Sequence, residues 1–186
     1  MYKRQFSSYL KKLNLQKGDR VAAYVPNKIE SIICFLACAK NGIIWSSCSP
    51  DFGAQGVVDR FKQIEPKVLI TCDYYYYNGK KISISDKVDQ ILKEIPSIKK
   101  VVAYNYNNKE KEDLKNFINF EETLNGNLDE IFERFEFDHP IYILFSSGTT
   151  GKPKCITHGA GNVLIEHNKE FMPVSYTHLT LPTTVR

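Results

Sequence analysis

The chain has 186 residues, with 25 Lys and Arg against 21 Asp and Glu for a formal charge of +4, and is 42% hydrophobic and 12% aromatic. That composition excludes an intrinsically disordered chain, and the length is that of one domain. No run approaches the ~18 apolar residues that span a bilayer, and no secretory signal opens the chain, so no membrane partner is expected.

In chain order, Phe6, Tyr9, Leu10 and Leu13 recur at helical spacing and predict a helix over 6–15. The QKGD run at 16–19 turns the chain into a strand over 20–25, which Pro26 ends. Asn27 with Glu30 has the N-x-x-E spacing of a capping box, opening a helix that continues to the Asn41-Gly42 stop. That helix is apolar on much of its circumference, so its burial is expected. A strand follows over 43–46, a helix over 53–65 ended by Pro66, and a strand over 68–71. Residues 86–95 read as helix, 100–104 as strand, and 105–138 as a polar stretch with weak helical pieces. A strand over 141–146 and a helix from Gly161 to about Phe171 complete the series. Alternating strands and helices predict an α/β class with largely parallel sheets flanked by helices.

Five cysteines (Cys34, Cys38, Cys48, Cys72 and Cys155) sit in apolar runs, and Cys34 and Cys38, four apart on a helix, have no His or carboxylate partner at metal-ligand spacing. They read as buried, reduced thiols of a cytoplasmic protein. His139, His158 and His167 lack a nucleophile or metal pattern around them and read as structural. Asp51 reads as a helix cap and Glu65 as part of a solvated face.

The most informative stretch is YILFSSGTTGKPKCITH at 142–158. An apolar strand runs into Ser146, Ser147, Gly148, Thr149, Thr150, Gly151, Lys152 and, after Pro153, Lys154. Glycines admit positive φ and close backbone approach, and successive N–H groups of such a loop form an anion-binding concavity. Four hydroxyls and two lysines complete a site suited to polyphosphate, although a solvated hairpin loop would have a similar composition. The spacing is not that of a Walker A loop.

This stretch resembles the signature of adenylate-forming enzymes, the superfamily of acyl-CoA synthetases, luciferases and peptide-synthetase adenylation domains. The resemblance implies that residues 146–151 cradle the β- and γ-phosphates of ATP, with Lys154 steadying the loop and Lys152 at a variable position. The fold implied is part of that superfamily's large N-terminal domain. Narrower blocks resemble acetoacetyl-CoA synthetases: WSSCSPDFG at 45–53, DRF at 59–61, QIEPKVL at 63–69, YNGK at 77–80, FDHP at 137–140, THG at 157–159 and LIEH at 164–167. They imply small-molecule partners: acetoacetate, ATP with Mg2+, and coenzyme A. The wording CIT at 155–157 and GAGN at 159–162 departs from the commoner pattern and weakens the acyl assignment, leaving part of an acetyl- or propionyl-CoA synthetase, or a non-catalytic nucleotide-binding module, as the alternative.

Tyr77, Asn78, Gly79 and Lys80 also resemble the place where acetyl-CoA synthetases touch the nucleotide end of coenzyme A, with Lys80 standing where an arginine is usual. A plain Asn-Gly surface turn is the alternative. The aromatic run Tyr74, Tyr75, Tyr76 and Tyr77 reads as a solvent-edge patch, with adenine stacking as its alternative. The superfamily's later motifs, which supply adenine and ribose contacts, a Mg-linked carboxylate, a hinge and a C-terminal catalytic lysine, have no counterpart here. The resemblance therefore implies a part of an enzyme, inactive alone, with no catalytic residue assigned and no oligomeric state indicated.

Residues 1–5 and 173–186 read differently. MYKRQ and VSYTHLTLPT translate the two strands of a transposase mosaic-end adapter, so both ends are expected to be appended, leaving 6–172 as the partial nucleotide-binding domain. Without Lys3, Arg4 and Arg186 the balance is 22 against 21, or +1, which leaves no basic field for a nucleic acid.

Overall fold

A computed structural model describes residues 1–107, 117–126, 131–147 and 151–171. Its centre is a seven-stranded sheet. β1 (Arg20–Tyr24), β2 (Ile44–Cys48), β3 (Val68–Cys72), β6 (Lys100–Tyr104), β7 (Ile118–Asn119) and β8 (Pro140–Ser146) run parallel, and β9 (Lys154–Gly159) pairs antiparallel to β8. The order is β7-β6-β3-β1-β2-β8-β9. The expected α/β class with largely parallel strands is what the chain adopts. β1 and β3 are the apolar RVAAY and VLITC runs; β3 is buried throughout and β1 from Val21 onward, as strands covered on both faces must be.

The connections are α2 (Ile29–Lys40) between β1 and β2, α3 (Ala54–Phe61) between β2 and β3, and α4 (Ser85–Glu94) before β6. Order along the sheet reverses at β1, with β2 on one side and β3 on the other, so the carboxyl ends of β1 and β3 flank a topological switch point. Phe6 and Leu10 of α1 (Tyr2–Lys12) are fully buried, each contributing about 1.5–3 kcal/mol of transfer free energy. Ser7 Oγ donates to Asn41 Oδ1 at 2.9 Å and Asn41 Nδ2 donates to Ser7 O at 2.9 Å, a buried reciprocal pair that pins α1 to the end of α2.

Several expectations are corrected. α1 begins at Tyr2 and ends at Lys12, earlier at both ends than the 6–15 spacing predicts, and its buried residues begin at Phe6. α2 starts after Lys28 with no side-chain cap bond, so Asn27 and Glu30 form no capping box. Instead Ser31 Oγ donates to Pro26 O at 3.0 Å. Nor is α2 buried all round: Ile29, Ile32 and Leu36 are exposed, because only the face carrying Cys34, Ala37 and Cys38 meets the sheet. β2 extends to Cys48, and α3 ends at Phe61 with looser turns following. The run at 74–83, to which the sequence assigned no strand, is a hairpin: β4 (Tyr74–Tyr77) and β5 (Lys80–Ser83) pair antiparallel. The polar stretch hides β7 and the short α5 (Phe120–Thr123), capped by Asn119, whose side chain accepts from Glu121 N at 3.0 Å. The final helix, α6 (Ala160–Lys169), sits where expected.

Residues 131–139 run along the amino end of β2 and β8. Phe135 lies against Gly42, and His139 stacks on Phe135 with centroids 5.0 Å apart. Its Nε2 is 2.9 Å from Gly42 O. His139 is therefore structural, as expected, and fastens the entry of β8 to the entry of β2.

Candidate functional site

The β8–β9 hairpin shapes the phosphate-loop candidate. Strand pairing sets Ser146 directly opposite Lys154, and the loop between them is closed by that pair. Gly151 has φ of 146°, a region closed to residues with a Cβ. Gly148, Thr149 and Thr150 lie outside the described residues. Ser46 Oγ donates to Ile143 O at 2.8 Å, tying β8 to β2 beyond the register pair Trp45 and Tyr142.

Gln63 is a contact that sequence reasoning missed. Its Nε2 donates to Pro153 O at 2.9 Å and Asp59 O at 2.7 Å, joining the loop's exit to the end of α3. Lys152 borders a cleft of about 520 Å3 with Gln55, Asp59, Lys62, Gln63 and Glu94. The only advance signal was the position of Gln63 within the QIEPKVL block; nothing in its type announces a partner 90 residues away. Cys155 is exposed, against the expectation of burial, because β9 is the last strand of the sheet and is open on both faces from Lys154 to Thr157. The other four thiols are buried, and burial pushes each up, Cys48 to about 11 despite the lowering influence of Arg60. His158 stands against Tyr142, centroids 4.9 Å apart, and His167 against Phe171 at 6.1 Å.

The second candidate is the β4–β5 hairpin. Asn78 and Gly79 have φ of 48° and 73°, as a tight two-residue turn requires. Pairing places Tyr77 opposite Lys80 and Tyr75 opposite Ile82, so these four share one face. The other face carries Tyr74 and Tyr76, which cluster with Tyr106 at 5.3 and 5.6 Å. The tyrosine run is thus split: Tyr74 and Tyr75 are buried, Tyr76 and Tyr77 exposed.

Burial raises the Tyr75 phenol, and the charge of the nearby Asp51 carboxylate raises it further. Asp51 accepts from Ser49 Oγ at 2.8 Å; it is not a helix cap, since Gly53 holds that position in α3. Lys87 Nζ donates to Pro50 O at 3.1 Å, and the Arg60 guanidinium lies 4.4 Å from the Phe52 ring centroid. The hairpin face bearing Tyr77 and Lys80 therefore adjoins the turn at 49–53. The cleft that Lys152 borders is lined by none of residues 77–80, so among the described residues the two candidate sites are not brought together. A further cleft of about 640 Å3, lined by Lys28, Glu30, Tyr104 and Tyr106 among others, contains none of the expected nucleotide-binding residues.

Residues 2–180 match the family described as AMP-binding enzyme. The chain belongs to that family. Among related proteins, an acetoacetyl-CoA synthetase of Macaca fascicularis is 44% identical over 176 residues, which is 90% of this chain and 26% of the relative. An acetoacetyl-coenzyme A synthetase of Rhizobium meliloti is 49% identical over 160 residues, 82% of this chain and 24% of the relative. A solved acetoacetyl-CoA synthetase from Streptomyces lividans superposes with a TM-score of 0.86 at 37% identity, covering 91% of this chain and 26% of its own. The chain spans about a quarter of the length of these AMP-binding relatives.

Among the described residues no helix is long and apolar enough to cross a membrane, and no group of three His, Cys, Asp or Glu is placed to hold a metal ion.

Proposed function

We propose that this chain is the phosphate-loop portion of an ATP-dependent acid–CoA ligase that activates acetoacetate. The acid's carboxylate attacks the α-phosphate of ATP, giving acetoacetyl-AMP and pyrophosphate, and the thiol of coenzyme A then displaces AMP. The observation that carries the reading is the hairpin loop closed by Ser146 and Lys154, in a chain 44% and 49% identical to two acetoacetyl-CoA synthetases.

Charge on the phosphate oxygens shifts during the first step, so prearranged N–H and hydroxyl donors with a lysine lower its barrier. Ser146, Ser147, Gly148, Thr149, Thr150 and Gly151 are assigned to the phosphates, Lys154 to steadying loop and charge, and Lys152 to a lesser role. Tyr77, Asn78, Gly79 and Lys80 are assigned to the nucleotide end of coenzyme A; Lys80 keeps an arginine's charge without its bidentate fork. Mg2+ would enter with the ATP phosphates, and no ligand for it is assigned in this chain. The unpaired thiols suit a reducing compartment such as the cytoplasm. Residues 1–5 and 173–186 are held to be appended, with 6–172 the domain segment.

The test is acetoacetate-dependent pyrophosphate release by the full-length enzyme carrying this segment. Lys154→Ala or Gly148→Val should lower it by about 100-fold or more. An unchanged rate overturns the loop assignment, and equal or faster release with acetate overturns the acyl assignment.

A further inference from the structure

Asp73 lies at the carboxyl end of β3, at the switch point, and only 3% of its surface is exposed. Its carboxylate is surrounded by donors from two separate segments. Oδ1 accepts from Tyr74 N at 2.8 Å and from Tyr106 N at 2.7 Å, while Oδ2 accepts from Asn105 Nδ2 at 2.9 Å. Its backbone joins the same two segments, with N donating to Tyr104 O at 3.2 Å and O accepting from Ile84 N at 3.2 Å. Ile84 follows β5, so both legs of the hairpin are tied to this one residue. Lys28 completes the arrangement: its Nζ donates to Tyr106 O at 2.8 Å and lies 4.5 Å from the Tyr106 ring centroid.

A buried carboxylate is costly to desolvate, and several N–H donors are what offset that cost. Two strands of a hairpin alone are only marginally stable in water, so β4 and β5 depend on their anchor for orientation. Tyr106, held by Asp73 and Lys28, packs on the Tyr74 and Tyr76 face. The opposite face, with Tyr77 and Lys80, is thereby turned toward the turn at 49–53.

We propose that Asp73 is a positioning residue for coenzyme A: through Tyr74 N and Tyr106 N it sets the angle at which the hairpin presents Tyr77 and Lys80 to the ligand's nucleotide end. The proposal rests on the coenzyme A reading of the hairpin given above. It concerns the second half-reaction only, since acyl-AMP formation needs no coenzyme A.

The experiment uses the full-length enzyme as wild type, Asp73→Ala, Asp73→Asn and Lys80→Ala. It reads KM for coenzyme A in the complete reaction and, separately, acetoacetate-dependent exchange of pyrophosphate into ATP. Asp73→Ala should raise KM for coenzyme A by about tenfold or more, the loss of hydrogen bonds to a charged group, and leave exchange within about twofold. Asp73→Asn keeps an acceptor for the backbone donors but opposes its amide to that of Asn105; a rise of about threefold is expected. Should Asp73→Ala fail to fold, Asp73→Asn decides. Unchanged KM for coenzyme A in folded Asp73→Asn, or exchange and coenzyme A use falling in proportion, overturns the role. If KM responds to Lys80→Ala but not to Asp73→Asn, only the Asp73 proposal falls. If Lys80→Ala changes nothing, the coenzyme A reading of the hairpin falls, and the proposal with it.

Discussion

The hydroxyl of Tyr24, on the central strand β1, lies 2.7 Å from the carbonyl oxygen of Phe52. Its ring is fully buried, and the same hydroxyl is 2.9 Å from Pro50 O. One phenol thus fastens the turn at 49–53 to the middle of the sheet, which is why a stretch with little regular structure of its own can stand as a fixed wall beside the hairpin.

Tyr24→Phe removes that donor and leaves two carbonyls competing for water. The expected loss is about 1–3 kcal/mol, read as a lower denaturation midpoint of the full-length protein, with faster amide exchange concentrated at 49–53. An unchanged midpoint would show that water replaces the phenol without cost.

Gly42 carries a second steric requirement. It sits at φ of 65°, and a Cβ there would come within 2.5 Å of the Phe135 ring. Gly42→Ala should destabilise by about 1–2 kcal/mol through the left-handed backbone alone, plus the displacement of Phe135. A double-mutant cycle with Phe135→Ala separates the two: the backbone part persists and the ring clash disappears.

The thiols should react in two classes. Cys155 is exposed, whereas Cys34, Cys38, Cys48 and Cys72 are buried with their titration pushed up by burial. Native protein at pH 8 should be alkylated at Cys155 first, the other four only after unfolding. Peptide mapping after brief iodoacetamide treatment reads this directly; early modification of Cys34 or Cys38 would contradict the packing of α2.

The same burial sets the alkaline limit. Unfolded thiols titrate near 9.0 and phenols near 10.0, while in the fold Cys48 is pushed up to about 11 and Cys38, Cys72, Tyr24 and Tyr104 are raised further. Folded-state values above unfolded ones mean the stabilisation is complete below pH 9 and is lost as pH rises through the raised values. Urea midpoints should therefore be level between about pH 7 and 8.5 and fall steadily above about pH 9. A midpoint that held to pH 11 would show the groups are not buried as described.

Much of the parallel sheet was readable because each strand is a continuous apolar run bounded by turn residues. Residues 100–104 are strand from end to end, and 20–25 and 68–71 are off by a residue. The apolar run that stops at Asn41 and Gly42 also identified α2, but not which face would be covered: Ile29, Ile32 and Leu36 are as apolar as the buried side chains, and only the position of the sheet distinguishes them. The hairpin at 74–83 was hidden for a related reason. A row of tyrosines followed by lysines has no alternation in hydropathy, so its pairing became visible only from the buried partners of Tyr74 and Tyr75.

What the sequence by itself determined is local: the order of strands and helices, the glycine- and hydroxyl-rich loop, the turn at Asn78 and Gly79, and the resemblance those residues carry. These depend on neighbours along the chain, where residue type and spacing are sufficient causes. Only the tertiary structure decided which distant residues support them. Gln63 reaches Pro153, Tyr24 reaches Phe52, and Asp73 gathers Tyr74, Asn105 and Tyr106. Each is a polar side chain of an unremarkable type, and apart from the neighbouring Tyr74 its partners are chosen by strand order, which brings groups 28 to 90 residues apart within hydrogen-bonding distance. Buried donors and acceptors must be paired, but the sequence does not say with whom.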